Sequence, residues 1–168
     1  MQILGFDPHD HGQCITTGVA AADAACRARG VRLTPVRKRV LEILLAEHRA
    51  MGAYDVLEVL RAEGLGSQPP VVYRALGFLV DQGFAHKVER LNAFIACAHA
   101  SQSESVTAEA GQAHRPVFLI CEGCGVVAET AAPEAGAALD ATAKALGFTI
   151  STAMVEVLGQ CPRCAAAA

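Results

Sequence analysis

Residues 69–97 read PPVVYRALGFLVDQGFAHKVERLNAFIAC, and the architecture turns on them. Pro69 and Pro70 suit the first turn of a helix, where the N–H groups lack intrahelical partners in any case. Behind them Val72, Ala75, Leu76, Leu79 and Val80 repeat at i, i+3, i+4, i+7 and i+8. That is the apolar stripe of an amphipathic helix, closed by Gly83. Two strand-like runs follow, 84–89 and 93–97, and the Arg90-Leu91-Asn92 between them is short enough for a hairpin.

Three further helices precede this stretch. One begins near Tyr54, shows Val56, Leu57 and Leu60, and stops before Gly64. Another takes Thr34 as N-cap and Pro35 as first residue, with Val36, Val40, Ile43 and Leu44 on the helical period. An alanine-rich helix runs from about Val19 to Arg29 and is stopped by Gly30, and residues 1–16 ahead of it are expected to be irregular. Helices followed by a two-stranded ribbon describe a winged helix-turn-helix, a reader of duplex DNA whose last helix enters the major groove.

Charge is compatible with that reading without imposing it. Residues 1–90 carry 11 Lys/Arg against 10 Asp/Glu, residues 91–168 carry 3 against 7, and the overall charge is −3. Within the first part, residues 26–39 hold six positive side chains (Arg27, Arg29, Arg32, Arg37, Lys38, Arg39) and no acid. Such a stripe suits phosphate contact, and it equally describes a solvated helix face.

Residues 101–113 are polar, aperiodic and long enough to act as a mobile hinge. Beyond them strands are expected at 117–120 and 126–129, a helix at 133–146 and a strand at 148–157. The fold class is therefore α+β, an N-terminal winged-helix domain plus a small C-terminal α/β domain. The predicted boundaries are 1–16 for an irregular extension, 17–98 for the winged helix, 99–113 for the hinge, 114–164 for the second domain and 165–168 for a tail. The chain has 168 residues, 52% of them hydrophobic and 18% charged, which excludes wholesale disorder. No apolar run approaches the ~20 residues of a membrane span, and the opening residues lack the basic segment of a signal peptide. A cytoplasmic protein without membrane contact is expected.

Seven cysteines are an odd number, which argues against a closed disulfide framework. Four form the pairs Cys121-x-x-Cys124 and Cys161-x-x-Cys164, separated by 36 residues that hold a strand–helix–strand excursion. Four thiolates make a closed, tetrahedral structural zinc site. The alternatives are thiol redox chemistry, which wants one such pair at a helix N-terminus, and a nucleobase deaminase, which wants His-x-Glu and Pro-Cys-x-x-Cys. Neither is the pattern expected here, since both pairs lie beside strands, the proline follows Cys161, and there is no His-x-Glu.

The hairpin suggests a second cluster. With Leu91-Asn92 as a two-residue loop, Arg90 faces Ala93, Val88 faces Ile95 and His86 faces Cys97. Phe84, Val88 and Ile95 then share the buried face with His86 and Cys97, whose Cβ atoms would stand ~5 Å apart. Singly, each is an ordinary core residue; together, in a chain that binds zinc, they read as a ligand pair that favours Zn²⁺.

Several stretches together resemble the ferric uptake regulator superfamily: Val31-Arg32-Leu33-Thr34-Pro35-Val36-Arg37, Ala53-Tyr54-Asp55-Val56-Leu57, Pro70-Val71-Val72-Tyr73-Arg74-Ala75-Leu76, Gly83-Phe84-Ala85-His86-Lys87-Val88 and the paired Cys-x-x-Cys. The likeness covers about residues 15–164 and is strongest to the zinc uptake regulators within the superfamily. It implies a homodimeric, zinc-responsive repressor whose C-terminal domain dimerises and whose operators are AT-rich inverted repeats ahead of zinc-acquisition genes. It places a structural zinc on Cys121, Cys124, Cys161 and Cys164, and a regulatory zinc on His86, Cys97, His114 and Glu129, two Zn²⁺ per subunit. The iron-sensing branch has a histidine-rich run before the first Cys-x-x-Cys; here residues 111–116 retain His114 alone, which with Cys97 moves the reading from iron to zinc. The family's Thr-Val-Tyr-Arg appears as Val71-Val72-Tyr73-Arg74, without one hydroxyl. His99 is a competing ligand candidate, and His9, His11 and Cys14 have donor chemistry for a third site.

The expected DNA contacts are Arg74 to a purine, Tyr73 to sugar, phosphate or a thymine methyl, and Arg32, Arg37 and Lys87 to phosphates, with Tyr54 joining the set. Core packing is the alternative for Tyr73. Glu58 and Arg61 are candidates for pairing between adjacent dimers on one operator, and equally for an i, i+3 surface pair on the third helix. A sensor of iron, manganese or peroxide in the same superfamily is the second reading; a zinc enzyme or redox protein is the remote one, because a four-cysteine site has no open coordination position.

Overall fold

The computed structural model describes residues 11–47, 49–65, 68–98 and 115–167, with His11 by its backbone only. They fall into two compact units, one within Pro8–Ser105 and the other within Val106–Ala168.

The N-terminal unit runs α1 (His11–Ala28), α2 (Pro35–Leu45), α3 (Ala53–Ala62), α4 (Pro69–Asp81), β1 (Ala85–Val88), a 3₁₀ turn (Glu89–Leu91) and β2 (Ala93–Ala96). Local chemistry explains the helix starts. Thr34 is extended and its side chain accepts the N–H of Arg37 ahead of Pro35. Asp55 accepts the N–H of Gly52 at 3.0 Å. Pro69 and Pro70 open α4, and Gly83, at φ +75, turns the chain out of it into β1. The apolar stripes of α2, α3 and α4 meet in one core with Phe84 and Phe94 of the ribbon; Leu57, Leu60, Leu76 and Leu79 are fully buried. Truncating any of these leucines to alanine costs ~2–5 kcal/mol. Met51 adds a bridge to β2, its N–H and carbonyl both bonded to Phe94 at 2.8 Å.

Two expectations are corrected in this unit. Residues 11–16 are helical, so α1 starts at His11 rather than near Val19. Gly12, Gly18 and the β-branched Ile15, Thr16 and Thr17 depress local helix propensity, yet Gly18 lets α1 approach α2 so closely that a Cβ there would stand 2.9 Å from Leu45. The ribbon register also differs. Ala85 pairs with Ala96, His86 with Ile95, Lys87 with Phe94 and Val88 with Ala93. The connection spans residues 89–92, because Asn92 takes the left-handed conformation (φ 46, ψ 44) and bonds back to the Glu89 carbonyl. His86 therefore faces Ile95, not Cys97. The shift is by an even number of residues, so Phe84, His86, Val88, Ala93, Ile95 and Cys97 still share one face.

The C-terminal unit comprises β3 (Pro116–Cys121), β4 (Val127–Ala131), α5 (Pro133–Ala145), β5 (Val155–Gly159) and the short α6 (Pro162–Ala166). The sheet order is β4-β3-β5, with β3 antiparallel to β4 and parallel to β5. Phe118, on the central strand, is fully buried. Arg115 fastens α5 to the start of β3 through an ion pair with Asp140 at 2.8 Å and a hydrogen bond donated to the Gly136 carbonyl. The strand expected at 148–157 is present only as β5, from Val155 onward. Its ladder begins at Val117 opposite Val155, and the preceding Pro116 has no N–H with which to extend it. Among the described residues no helix is long and apolar enough to cross a membrane. The proposed hinge 101–113 lies outside the described residues.

Candidate metal centres and nucleic-acid interface

Cys121 ends β3, Cys124 closes the turn after it, Cys161 is the N-cap of α6 and Cys164 lies within α6. Their four Sγ atoms all lie within 4.8 Å of one another. Cys124 Sγ and Cys161 Sγ are 3.8 Å apart, which is the ~3.8 Å edge of a tetrahedron of ~2.3 Å Zn–S bonds and far beyond a disulfide. The turn is shaped for the cluster: a Cβ at Gly123 would stand 3.0 Å from Cys164 Sγ, and Gly125 adopts φ +72. The Cys161 N–H donates to Cys121 Sγ at 3.2 Å. That bond, followed by one from the Cys124 N–H, pulls the Cys121 thiol down to about 6. The Cys164 N–H likewise lowers Cys161. Hydrogen bonds with the sulfurs of Cys161, then Cys124 and Cys121, push Cys164 up to about 12. The N–H donors thus ease ionisation of Cys121 and Cys161, while full ionisation of all four needs a cation among them. One expectation is corrected: Cys161-x-x-Cys164 does start a helix, the placement a redox pair would use. The convergence of the other two sulfurs favours metal over redox chemistry at that pair.

In the N-terminal unit the ligand atoms of His86 and Cys97 lie within 4.8 Å of each other. Cys97 is buried, and so is the Nε2 atom of His86. An imidazole and a thiol at that separation suit Zn²⁺. Glu129 belongs to the C-terminal unit, on β4 opposite Phe118, and at 4% exposure it is the buried charged side chain among the described residues. Carboxylates at that depth are held by ion pairs, hydrogen bonds or metals. His114 and His99 lie outside the described residues, as do His9 and the side chain of His11. Cys14 is half-buried on α1.

The candidate nucleic-acid face lies on α4. With Val72, Ala75, Leu76 and Leu79 inward, Pro70, Tyr73, Arg74 and Gly77 form the outer stripe. Tyr73 is 49% exposed, which removes core packing as its role. Arg74 donates from Nε to the Pro70 carbonyl at 3.1 Å, so its stem lies along the first turn. Tyr54 stands exposed at the start of α3. Arg32 is exposed, and its carbonyl accepts a hydrogen bond from Arg37 at 2.7 Å. Lys87 is paired with Glu89 at 2.7 Å, so a phosphate would have to compete with that carboxylate.

Three features escaped the sequence reading. The Arg37 guanidinium stacks on the Phe78 ring at 3.6 Å, a cation–π contact that links α2 to α4. Gly123 is required by the close approach of Cys164, which its place inside a Cys-x-x-Cys could have suggested. Leu139, Leu146, Phe148, Met154, Val157 and Leu158 are exposed on the C-terminal unit. The sequence pattern places the first five only in a helix and a strand, because a single chain says nothing about which face is left uncovered.

A family model for the ferric uptake regulator family matches residues 28–158. A zinc uptake regulation protein of Escherichia coli (strain K12) is 36% identical over 146 residues, covering 87% of this chain and 80% of that protein. Among solved structures, a zinc uptake regulator complexed with zinc and DNA is similar at a TM-score of 0.81 and 34% identity, over 91% of this chain and 96% of that one. Holo XcZur is similar at a TM-score of 0.76 and 40% identity, over 88% of this chain and 96% of that one.

Proposed function

The chain belongs to the ferric uptake regulator family, in its zinc uptake branch, and from that premise we propose how its own residues divide the work. It is a zinc-responsive transcriptional repressor and not an enzyme. Cys121, Cys124, Cys161 and Cys164 hold a structural zinc; His86, Cys97, His114 and Glu129 hold a regulatory one, giving two per subunit. Bound zinc supplies a tetrahedral tie among its donors. His86 and Cys97 come from the ribbon that directly follows the DNA-reading helix, whereas Glu129 comes from the other unit. Engaging both groups selects one arrangement in which Tyr73 and Arg74 can meet base edges, with Arg32, Arg37, Lys87 and Tyr54 on the flanking backbone.

The repressor works as a cytoplasmic homodimer on double-stranded DNA. The exposed apolar side chains of the C-terminal unit support the dimer, and its symmetry presents two copies of α4 to AT-rich inverted repeats ahead of zinc-acquisition genes. Two dimers on one operator would meet through exposed Glu58 and Arg61 of α3.

One observation carries the reading: the ribbon that places His86 and Cys97 within 4.8 Å of each other grows directly out of the helix whose outer stripe holds Tyr73 and Arg74. The test is zinc stoichiometry on the purified protein with a gel shift on the gene's own upstream region. Two zinc ions per subunit and a shift that needs the second are expected. A shift driven by iron or manganese, with zinc inert, would make the protein a sensor of another metal.

A further inference from the structure

Gly77 sits in the middle of α4, on the outer stripe with Pro70, Tyr73 and Arg74. Nothing among the described residues asks for a glycine there. Its backbone is not in the left-handed region that Gly83 and Gly125 use, and a Cβ added to it would meet nothing within 4 Å among the described residues. Gly18 and Gly123 are different, since a side chain at either would collide with Leu45 or Cys164. Glycine in a helix interior is also unfavourable relative to alanine. The neighbouring Arg74 leans back to the Pro70 carbonyl, toward the opposite end of the helix, so the helix surface at Gly77 is left bare between contact-forming residues and the last turn.

We propose that Gly77 is a positioning residue for DNA reading: its bare surface lets α4 seat against the floor of the major groove closer than any side chain would allow. The inference rests on α4 being the reading helix. The fit is close on general dimensions, since the groove is ~12 Å wide and a helix with its side chains is ~10–12 Å across. One added methyl at the contact line holds the whole helix off, and Tyr73 and Arg74 with it.

The experiment compares Gly77→Ala, Gly77→Leu and Arg74→Ala in the full-length, zinc-loaded protein, by Tm and by titration of a duplex from the gene's own upstream region. Alanine and leucine have similar helix propensity but different bulk, so steric exclusion separates from helix stability. Gly77→Ala should raise Tm while weakening DNA binding about tenfold or more, and Gly77→Leu should weaken it further at a similar Tm. Unchanged binding in both glycine variants while Arg74→Ala loses it would overturn the inference and leave the reading of α4 standing. A loss of binding accompanied by a fall in Tm would make Gly77 structural and overturn it as well. If Arg74→Ala also binds like wild type, α4 is not the reading helix, and the inference falls with that reading.

Discussion

The backbone N–H of Cys97 donates to the carbonyl of Phe84 at 2.9 Å, which seats the thiol two residues along the ribbon from the His86–Ile95 pair and on the same face. Diagonal neighbours of this kind lie within reach of long or ring side chains, so the two donors can serve one ion without being directly opposed. Each can be removed without touching the helical core.

Cys97→Ser and His86→Ala should therefore leave a folded dimer that binds one zinc fewer per subunit and shows no zinc-dependent shift. Circular dichroism, sedimentation and metal content read the three properties separately. Zinc-dependent DNA binding retained in both variants would remove these residues from the sensing role, and the same measurement on His114→Ala extends the test to the third proposed ligand.

Cys121→Ser should behave in the opposite way. Structural zinc contributes ~10–16 kcal/mol in small zinc peptides, comparable to the ~5–15 kcal/mol that holds a whole domain together. Loss of this ligand, or prolonged chelation, should unfold the C-terminal unit and dissociate the dimer. A well-folded dimeric variant lacking one zinc would count against a structural role.

Arg74 and Arg32 should separate by salt and sequence. Arg74→Ala should cost ~1–3 kcal/mol on the specific duplex and little on a scrambled one, as loss of a base contact does. Arg32→Ala should weaken both duplexes alike and lower the slope of log affinity against log salt by about one. Equal losses for Arg74→Ala on both duplexes would place it among the phosphate contacts.

Leu146 and Phe148 are 79% and 67% exposed on the unit proposed to dimerise. Leu146→Asp combined with Phe148→Asp should yield monomers at micromolar concentration in sedimentation, with little change in the Tm of the N-terminal unit. Dimers of wild-type affinity would move the interface elsewhere.

Arg39 of α2 reaches the C-cap of α3 by two hydrogen bonds to Glu63, both at 2.7 Å, and is braced within α2 by a third to Glu42 at 2.9 Å. The Arg39 hydrogen bonds hold the Glu63 carboxyl below its ordinary range. A carboxyl lowered in the folded state stabilises above its unfolded pKa and stops doing so as pH falls through its folded one. The Tm gap between wild type and Arg39→Ala should accordingly be full at neutral pH and close as pH falls from the ordinary glutamate range through the lowered value of Glu63. A gap independent of pH would show that Arg39 acts by packing alone.

Much of the fold is present in local pattern. The i, i+3, i+4 stripes of α2, α3 and α4 and the prolines and glycines at their ends follow from backbone chemistry within a few residues, and the helices appear there. The ribbon shows where this stops. Alternation along a strand decides which residues share a face, so His86 and Cys97 fall together under either register. The length of the loop decides who pairs with whom, and that depended on Asn92 adopting a left-handed conformation with Val88 and Ala93 buried beside it. Likewise the two Cys-x-x-Cys spacings announce a metal from the sequence alone, while bringing sulfurs 37 residues apart to 3.8 Å requires β3 and β5 to pair in parallel. Local periodicity determined the elements and the donor chemistry; only long-range pairing decided their register, because the cost of closing a long loop is met by contacts that no short window of sequence contains.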